Sequence, residues 1–134
     1  MPVQIRTLVL ERMTAHAAEE APLECCGLLV GTSSLIDDNV PTTNVEASPV
    51  RFQVDPRQHL QLQRTLRGTT RTIVGAYHSH PASSPFPSPS DVAEAHYPGF
   101  IYLIVSLAIP GSPEIRAFRI HSGNVAAVEL VPVP

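Results

Sequence analysis

Thr72-Ile73-Val74-Gly75-Ala76-Tyr77-His78-Ser79-His80 is followed by a proline-rich connection that ends at Ser90-Asp91. β-branched and apolar residues dominate the first part of this stretch, which predicts a buried strand. Side chains two positions apart on a strand point to the same face, so His78 and His80 are expected to lie side by side. Two imidazoles and a carboxylate are good zinc ligands, and a catalytic zinc takes three protein ligands. The stretch therefore predicts a metal site at the end of a buried strand.

Each part of this pattern also has a simpler explanation. His-x-His can occur by chance, and an aspartate after a proline-rich loop is commonly only the N-cap of a helix. Asp91 is expected near the start of the next helix in either case. These residues alone therefore do not distinguish a metal site from an ordinary helix start.

Composition and charge narrow the class of protein. The chain has 134 residues, of which 43% are hydrophobic and 16% charged, so we expect one folded domain over residues 1–134. A net charge of −3 gives no electrostatic footprint for nucleic acid. The N-terminus lacks the pattern of a signal peptide, and no apolar run approaches the roughly 20 residues that span a bilayer. We therefore expect a cytoplasmic protein without a nucleic-acid or membrane partner.

The two cysteines of the chain, Cys25 and Cys26, are adjacent. A disulfide between neighbouring residues is strained, so two reduced thiols in a cytosolic protein are the simpler interpretation. Free cysteine is commonly buried and unreactive. We therefore expect both residues to be small core residues rather than nucleophiles.

Three segments are predicted to be helical because they lack Gly and Pro in their interiors and have typical helix ends. Their approximate ranges are 6–20, 56–67 and 91–96. Pro22 ends the first helix, and Asp55 caps the second, which has a proline at its first position. Ser88 or Ser90 caps the third.

Strands are predicted where short runs are apolar or alternate between apolar and polar residues. Besides 72–77, these runs are 23–31, 40–46, 50–54, 100–107, 114–120 and 125–131. Residues 32–39 are polar and predict a turn, whereas 100–107 is the most strand-like run and is expected at the sheet centre. The order of elements predicts an α/β chain with one mixed sheet and helices on its faces.

The spacing of the polar residues is more specific than any of them alone. His78-x-His80 is followed by seven residues, Ser88, two residues and Asp91. This pattern resembles the JAMM motif of MPN-domain zinc metalloproteases, and Glu24 ahead of Cys25-Cys26-Gly27-Leu28-Leu29 resembles the catalytic glutamate of that family. Without the resemblance, Glu24 would simply be an exposed residue at the start of a strand. The resemblance extends along nearly the whole chain and implies an MPN/JAB-type, cytidine-deaminase-like fold.

The resemblance also implies a role for each of these residues. His78, His80 and Asp91 would hold one zinc ion per chain, which would lower the pKa of a bound water towards about 7. Glu24 would be the general base that accepts a proton from this water and passes it to the leaving amine. Ser88 would donate a hydrogen bond to the oxyanion of the tetrahedral intermediate.

Two further stretches resemble the small bacterial Mec-type members of the family, namely residues 41–49 and 116–123. The implied partner is a ubiquitin-like or sulfur-carrier protein with a flexible C-terminal tail, from which cysteine or a blocking residue is released. Such a tail could bind by strand addition along an edge formed by residues 40–54. The proline-rich loop, 81–89, is expected to stiffen the approach to the zinc.

Two other functions remain open at this stage. A zinc hydrolase that acts on a small amide or another peptide would use the same residues. A non-catalytic MPN scaffold would not, because scaffold relatives lack the ligands, whereas this chain keeps all five implied residues. Both a monomer and a homodimer are compatible with the sequence.

Overall fold

The computed structural model describes residues 2–134 of the chain. Within them lie eight strands and three helices. In chain order these are β1 (Val3–Arg6), α1 (Thr7–Glu20), β2 (Cys26–Gly31), β3 (Leu35–Thr42), α2 (Pro56–Leu66), β4 (Thr72–His80), α3 (Pro89–Ala93), β5 (Ile101–Ser106), β6 (Glu114–His121), β7 (Asn124–Val128) and β8 (Leu130–Val133).

The strands form one mixed sheet with the order β7-β6-β5-β4-β2-β3-β1-β8. β4 is parallel to β5 and antiparallel to β2, which confirms the predicted mixed α/β architecture. The edge strands β7 and β8 are separated along the chain by Glu129 alone. Because consecutive Cα atoms are only about 3.8 Å apart, the sheet must curl until its two edges approach each other at this corner.

Hydrophobic clusters cover both faces of the sheet. One cluster includes Met13 of α1 and Tyr77 of β4, and we call this side the α1 face. The other includes Leu28 and Phe118 and is covered in part by α2 and α3, so we call it the α2–α3 face. Successive side chains of a strand point to opposite faces. His78, which follows Tyr77, therefore points to the α2–α3 face.

The predicted helices are present. α1 and α2 agree with their predicted ranges to within one residue. Asp55 caps α2 as predicted, with its carboxylate accepting a hydrogen bond from Arg57 N at 2.8 Å. α3 begins at Pro89, two residues before the predicted start, and ends at Ala93, three residues before the predicted end. Among residues 2–134, no helix is both long and apolar enough to cross a membrane.

Two predictions for the segment between β2 and α2 are wrong. Residues 32–39, predicted as a turn, contain the first half of β3. Residues 50–54, predicted as a strand, belong to a loop that is closed by an isolated bridge between Asn44 and Val54. The polar character of β3 is compatible with a strand because Asp37 pairs with Arg71 at 2.6 Å. The charge of Asp37 is thereby compensated at the protein surface.

Three features of the sheet also differ from the prediction. Residues 3–6 form β1, which is too short to be detected from alternation even though Val3 and Ile5 are buried. The predicted strand 125–131 is two strands, β7 and β8, which lie at opposite edges of the sheet. β5 is not central, because β4 and β2 occupy the middle of the sheet.

Gly27→Ala is expected to lower the free energy of unfolding by about 1–3 kcal/mol, as is usual for overpacking. A Cβ atom at this position would collide with the ring of Tyr77, which is fully buried and cannot move away. Thermal or urea unfolding measures the effect. Gly99→Ala is the matched control, since a Cβ there meets no atom within 4 Å. Equal stability of the two variants would contradict the packing.

Candidate metal centre

His78 and His80 lie at the C-terminal end of β4, on the α2–α3 face of the sheet. Their exposed fractions are 3% and 4%, and their Nε2 atoms are 3.2 Å apart. The period of two along the strand brings the rings together, as predicted. β5 and β2 flank β4 on both sides, so the two imidazoles are held by a rigid part of the sheet.

Asp91 reaches the two histidines from the first turn of α3. Its Oδ2 lies 3.1 Å from His78 Nε2 and 3.0 Å from His80 Nε2. A capping box fixes this turn, because Ser88 N donates to Asp91 Oδ2 at 2.9 Å and Asp91 N donates to Ser88 Oγ at 3.1 Å. The helix start and the metal site are therefore not alternatives, because Asp91 belongs to the first turn of α3 and also contacts both imidazoles.

The donor atoms of His78, His80 and Asp91, which we call the triad, fit a tetrahedral metal ion. They lie within 3.0–3.2 Å of one another, close to the ligand spacing of about 3.3 Å that follows from zinc bond lengths of about 2.0–2.1 Å. His80 Nδ1 donates to the carbonyl of Ser84 at 2.8 Å, which leaves Nε2 free to act as a ligand. These residues form a group whose geometry would allow it to hold a metal ion.

The ionisation of two members of the triad suits a cation, whereas the hydrogen bond with Asp91 raises the pKa of His80, whose Nε2 proton a bound metal ion would displace. Burial lowers the pKa of His78, which favours its neutral imidazole. Burial alone would raise the pKa of Asp91, but the hydrogen bonds with His78 and His80 outweigh it and hold that pKa well below its ordinary value. A neutral imidazole and an ionised carboxylate are the forms that bind zinc.

Glu24 lies next to the triad, just before β2. It is 4% exposed, and its Oε1 has no hydrogen-bond partner among the described residues. Burial raises its pKa to about 7, opposed by the charge of His80 and reinforced by that of Asp91. Glu24 is therefore a buried carboxyl group beside the triad, not the exposed residue of the simpler interpretation.

The comparison with protein families agrees with this arrangement. Residues 7–121 match the family model described as prokaryotic homologs of the JAB domain. The chain belongs to this JAB/MPN family. The sequence had suggested the same family from the spacing of the triad, Ser88 and Glu24, and that recognition is confirmed.

Relatives in the JAB family include named peptidases. The CysO-cysteine peptidase of Mycobacterium tuberculosis is 36% identical over 123 residues, which cover 90% of this chain and 84% of that protein. The desampylase of Haloferax volcanii is 36% identical over 104 residues, covering 75% of each. Among solved structures, protein DSY2949 of Desulfitobacterium hafniense has a TM-score of 0.89 and 33% identity, covering 98% of this chain and 92% of that one.

Ser88 is the N-cap residue of α3 and bonds to Asp91 of the triad. Its hydroxyl oxygen accepts the hydrogen bond from Asp91 N and lies 3.1 Å from Ser90 Oγ. The structure thus gives Ser88 the capping role that the sequence had predicted for Ser88 or Ser90. Its role as an oxyanion donor remains a prediction.

Sequence reasoning missed several residues around this JAB-type site. Phe52 stacks on His78, with ring centroids 4.1 Å apart and an angle of 17° between the planes. Phe52 also lines a pocket of about 450 Å³ together with Glu46, Glu94 and Tyr97, and no residue of the triad is part of that lining. Residues 50–54 alternate like a strand, so their sequence gave no signal that this segment would form a wall of the site.

Ser79, which lies between His78 and His80 on β4, bonds to Cys25, the residue that follows Glu24. Ser79 is fully buried, and its Oγ accepts a hydrogen bond from Cys25 N at 2.8 Å. Ser79 N in turn donates to Cys25 O at 3.1 Å. The chain beside Glu24 is thereby fixed to β4 at a point between His78 and His80.

Native Cys25 and Cys26 are expected to react with a thiol reagent such as DTNB at pH 8 at least about 100 times more slowly than in the urea-unfolded chain. Both are buried free thiols, and burial raises their pKa to about 12 and about 11. The reactive thiolate is therefore scarce at pH 8. Absorbance of the released thiol measures the rate, and fast reaction of the native protein would contradict the burial of both residues.

Proposed function

We propose that this chain is a zinc-dependent peptidase that hydrolyses an amide bond at the C-terminus of a ubiquitin-like or sulfur-carrier protein, for example to release cysteine from a carrier–cysteine adduct. The observation that carries this proposal is the buried triad beside a buried carboxyl group, Glu24 Oε1, that has no partner among the described residues. The names of two relatives, CysO-cysteine peptidase and desampylase, support the substrate class.

His78, His80 and Asp91 would hold the zinc ion. When bound, zinc would supply Lewis-acid chemistry, activating water and polarising the substrate carbonyl. The residues around the triad keep its atoms in place: Ser84 O fixes the tautomer of His80, and Ser88 N fixes the carboxylate of Asp91.

Glu24 would act as the general base and then as the general acid. Its carboxylate accepts a proton from the water that attacks the carbonyl carbon, and the same carboxyl then protonates the leaving amine. A group with a pKa near neutrality can do both, and burial raises the pKa of Glu24 to about 7. Because Oε1 forms no hydrogen bond to the described residues, it is free to bond to water or to the substrate.

Ser88 would stabilise the oxyanion. Its oxygen accepts a hydrogen bond from Asp91 N through a lone pair, so its hydroxyl proton can still be donated. One donor to an oxyanion contributes about 3 kcal/mol in other hydrolases.

The substrate tail would bind along residues 40–54. Only residues 40–42 of this segment belong to a strand, β3. Because β1 pairs with β3 only at Leu35 and Ile36, β1 does not cover the edge of β3 at residues 40–42. The rest of the segment forms the loop that carries Phe52 to His78. A Gly-Gly tail has no side chains to clash with this loop, which suits a flexible C-terminus.

Glu24→Gln is expected to reduce kcat by about 10²- to 10⁴-fold, because it removes the group that accepts and returns the proton. The substrate is a ubiquitin-like protein ending in Gly-Gly with one further cysteine, and loss of the cysteine is followed by mass spectrometry. Zinc content, measured by ICP-MS, should remain that of the wild type. Full activity of Glu24→Gln would refute the mechanism.

A peptide that carries only the last six residues of the same substrate separates a carrier-directed peptidase from a hydrolase of small amides. We expect the intact carrier to be hydrolysed with the higher kcat/KM. Equal values for the peptide and the carrier would favour the small-amide alternative. Absence of both activities in the zinc-loaded protein would favour a scaffold.

The metal-free protein is expected to bind one zinc ion per chain, and Asp91→Asn to weaken this binding at least about tenfold. The substitution removes the negative charge but keeps an oxygen that can accept the Ser88 N–H bond. Isothermal titration with zinc gives both the stoichiometry and the affinity. Asp38→Asn serves as the control, since Asp38 is a surface carboxylate paired with Arg12. Equal zinc affinity of Asp91→Asn and wild type would contradict the assignment.

A further inference from the structure

Asn44 lies at the start of the loop that separates β3 from α2, and its side chain makes four hydrogen bonds. Its Oδ1 accepts from Glu46 N and from Gln53 N, both at 3.0 Å. Its Nδ2 donates to Arg51 O and to Glu24 O, also both at 3.0 Å. A carboxamide has two donor hydrogens and two acceptor lone pairs, so every position is used. We call residues 44–54 the Asn44 loop.

Three of these bonds stay inside the Asn44 loop, and the fourth leaves it. The bonds to the backbone of Glu46, Gln53 and Arg51 shape the loop. The bond to Glu24 O spans 20 positions of the sequence and joins the loop to the residue proposed as general base. The loop also holds the other backbone group of Glu24, because Glu24 N donates to Ser48 O at 2.9 Å. Both peptide groups that flank the Glu24 side chain are therefore anchored to the loop.

The backbone anchors matter because the carboxyl group of Glu24 is not anchored at Oε1. This atom has no hydrogen-bond partner among the described residues. The position of the carboxyl group thus depends on the backbone to which it is attached and on packing. On one side, Cys25 is fixed to Ser79 between the histidines. On the other, Glu24 is fixed to the Asn44 loop.

We propose that Asn44 is a positioning residue for the hydrolytic reaction, acting through Glu24. Its carboxamide sets the distance between the Glu24 carboxyl group and the triad. The proposal rests on the proposed function, since it takes Glu24 as the general base. The same loop brings Phe52 against His78. Asn44 therefore links the loop that stacks on a triad histidine to the proposed general base, Glu24.

Asn44→Ala and Asn44→Asp are the informative variants. Alanine removes all four bonds, whereas aspartate keeps the two acceptor bonds and places an oxygen against the carbonyls of Glu24 and Arg51. We expect both to lower kcat by about 10- to 100-fold, because small displacements of a reacting group reduce the rate of chemistry. KM is expected to rise as well, since the Asn44 loop lies in the segment proposed to bind the substrate tail. Zinc content should stay at the wild-type value, since none of the triad bonds to Asn44.

Asp55→Ala is the matched control. It removes the cap of α2 directly after the Asn44 loop, where Asp55 accepts from Arg57 N, and Asp55 forms no hydrogen bond with Glu24. It should lower the melting temperature while kcat stays within about twofold of wild type. A purely structural role for Asn44 predicts instead that loss of kcat follows loss of stability equally in both variants.

Combination with Glu24→Gln tests whether Asn44 acts through the base. If it does, the kcat of Asn44→Ala/Glu24→Gln should be no lower than that of Glu24→Gln alone, because the group that Asn44 positions is already absent. Two losses that multiply would overturn the proposal.

Hydrogen exchange of the Glu24 amide gives a readout that does not need activity. Its bond to Ser48 O should open at least about tenfold more often in Asn44→Ala than in Asp55→Ala, measured by NMR under conditions of equal stability. Equal protection in the two variants would overturn the positioning role. If the wild type hydrolyses no adduct, the proposed function fails, and the exchange experiment still decides whether Asn44 holds Glu24.

Discussion

The hydrogen bond from Ser88 N to Asp91 Oδ2 is the constraint on which the site depends. It closes the first turn of α3 and at the same time holds the carboxylate against His78 and His80. An ionised carboxylate is costly to bury unless it is hydrogen-bonded, and here one oxygen accepts from a backbone amide while facing two imidazoles. Without this turn the acidic group would lie in a proline-rich loop with no fixed relation to β4.

The site combines side chains from a central strand with side chains from segments outside the sheet. β4 supplies two imidazoles from the middle of the sheet, where neighbouring strands fix the backbone on both sides. The two carboxyl groups come from outside the sheet: Asp91 lies on α3, and Glu24 lies in the segment before β2. For the segment that carries Glu24, hydrogen bonds between residues far apart in the sequence take the place of strand pairing. These bonds join Cys25 to Ser79 and Glu24 to Asn44. The segment that carries Glu24 is thereby fixed to β4 and to the Asn44 loop.

The sequence was sufficient for the parts of the site that depend on local geometry. A period of two places His78 beside His80, and Ser88 three positions before Asp91 is a recognisable cap. It was insufficient where structure depends on partners far away. β1 is four residues long and exists because β3 and β8 lie beside it. Residues 50–54 alternate like a strand, yet Asn44 bonds to their backbone from inside a loop, and no periodicity reveals such a bond.

Burial without a partner does not by itself mark a catalytic group. Two side-chain oxygens are buried and unpartnered among the described residues, Glu24 Oε1 and Asn39 Oδ1. A buried group that is left without any hydrogen bond costs about 1–3 kcal/mol relative to a satisfied group. Asn39 lies on the α1 face, where its Nδ2 donates to Tyr77 OH, and a neutral amide there has no acid–base chemistry to offer. Glu24 differs because its carboxyl group can exchange a proton, its pKa is raised to about 7, and a cluster able to hold a metal ion lies beside it. The coincidence of these three properties, rather than any one of them, supports the proposal that Glu24 is the general base.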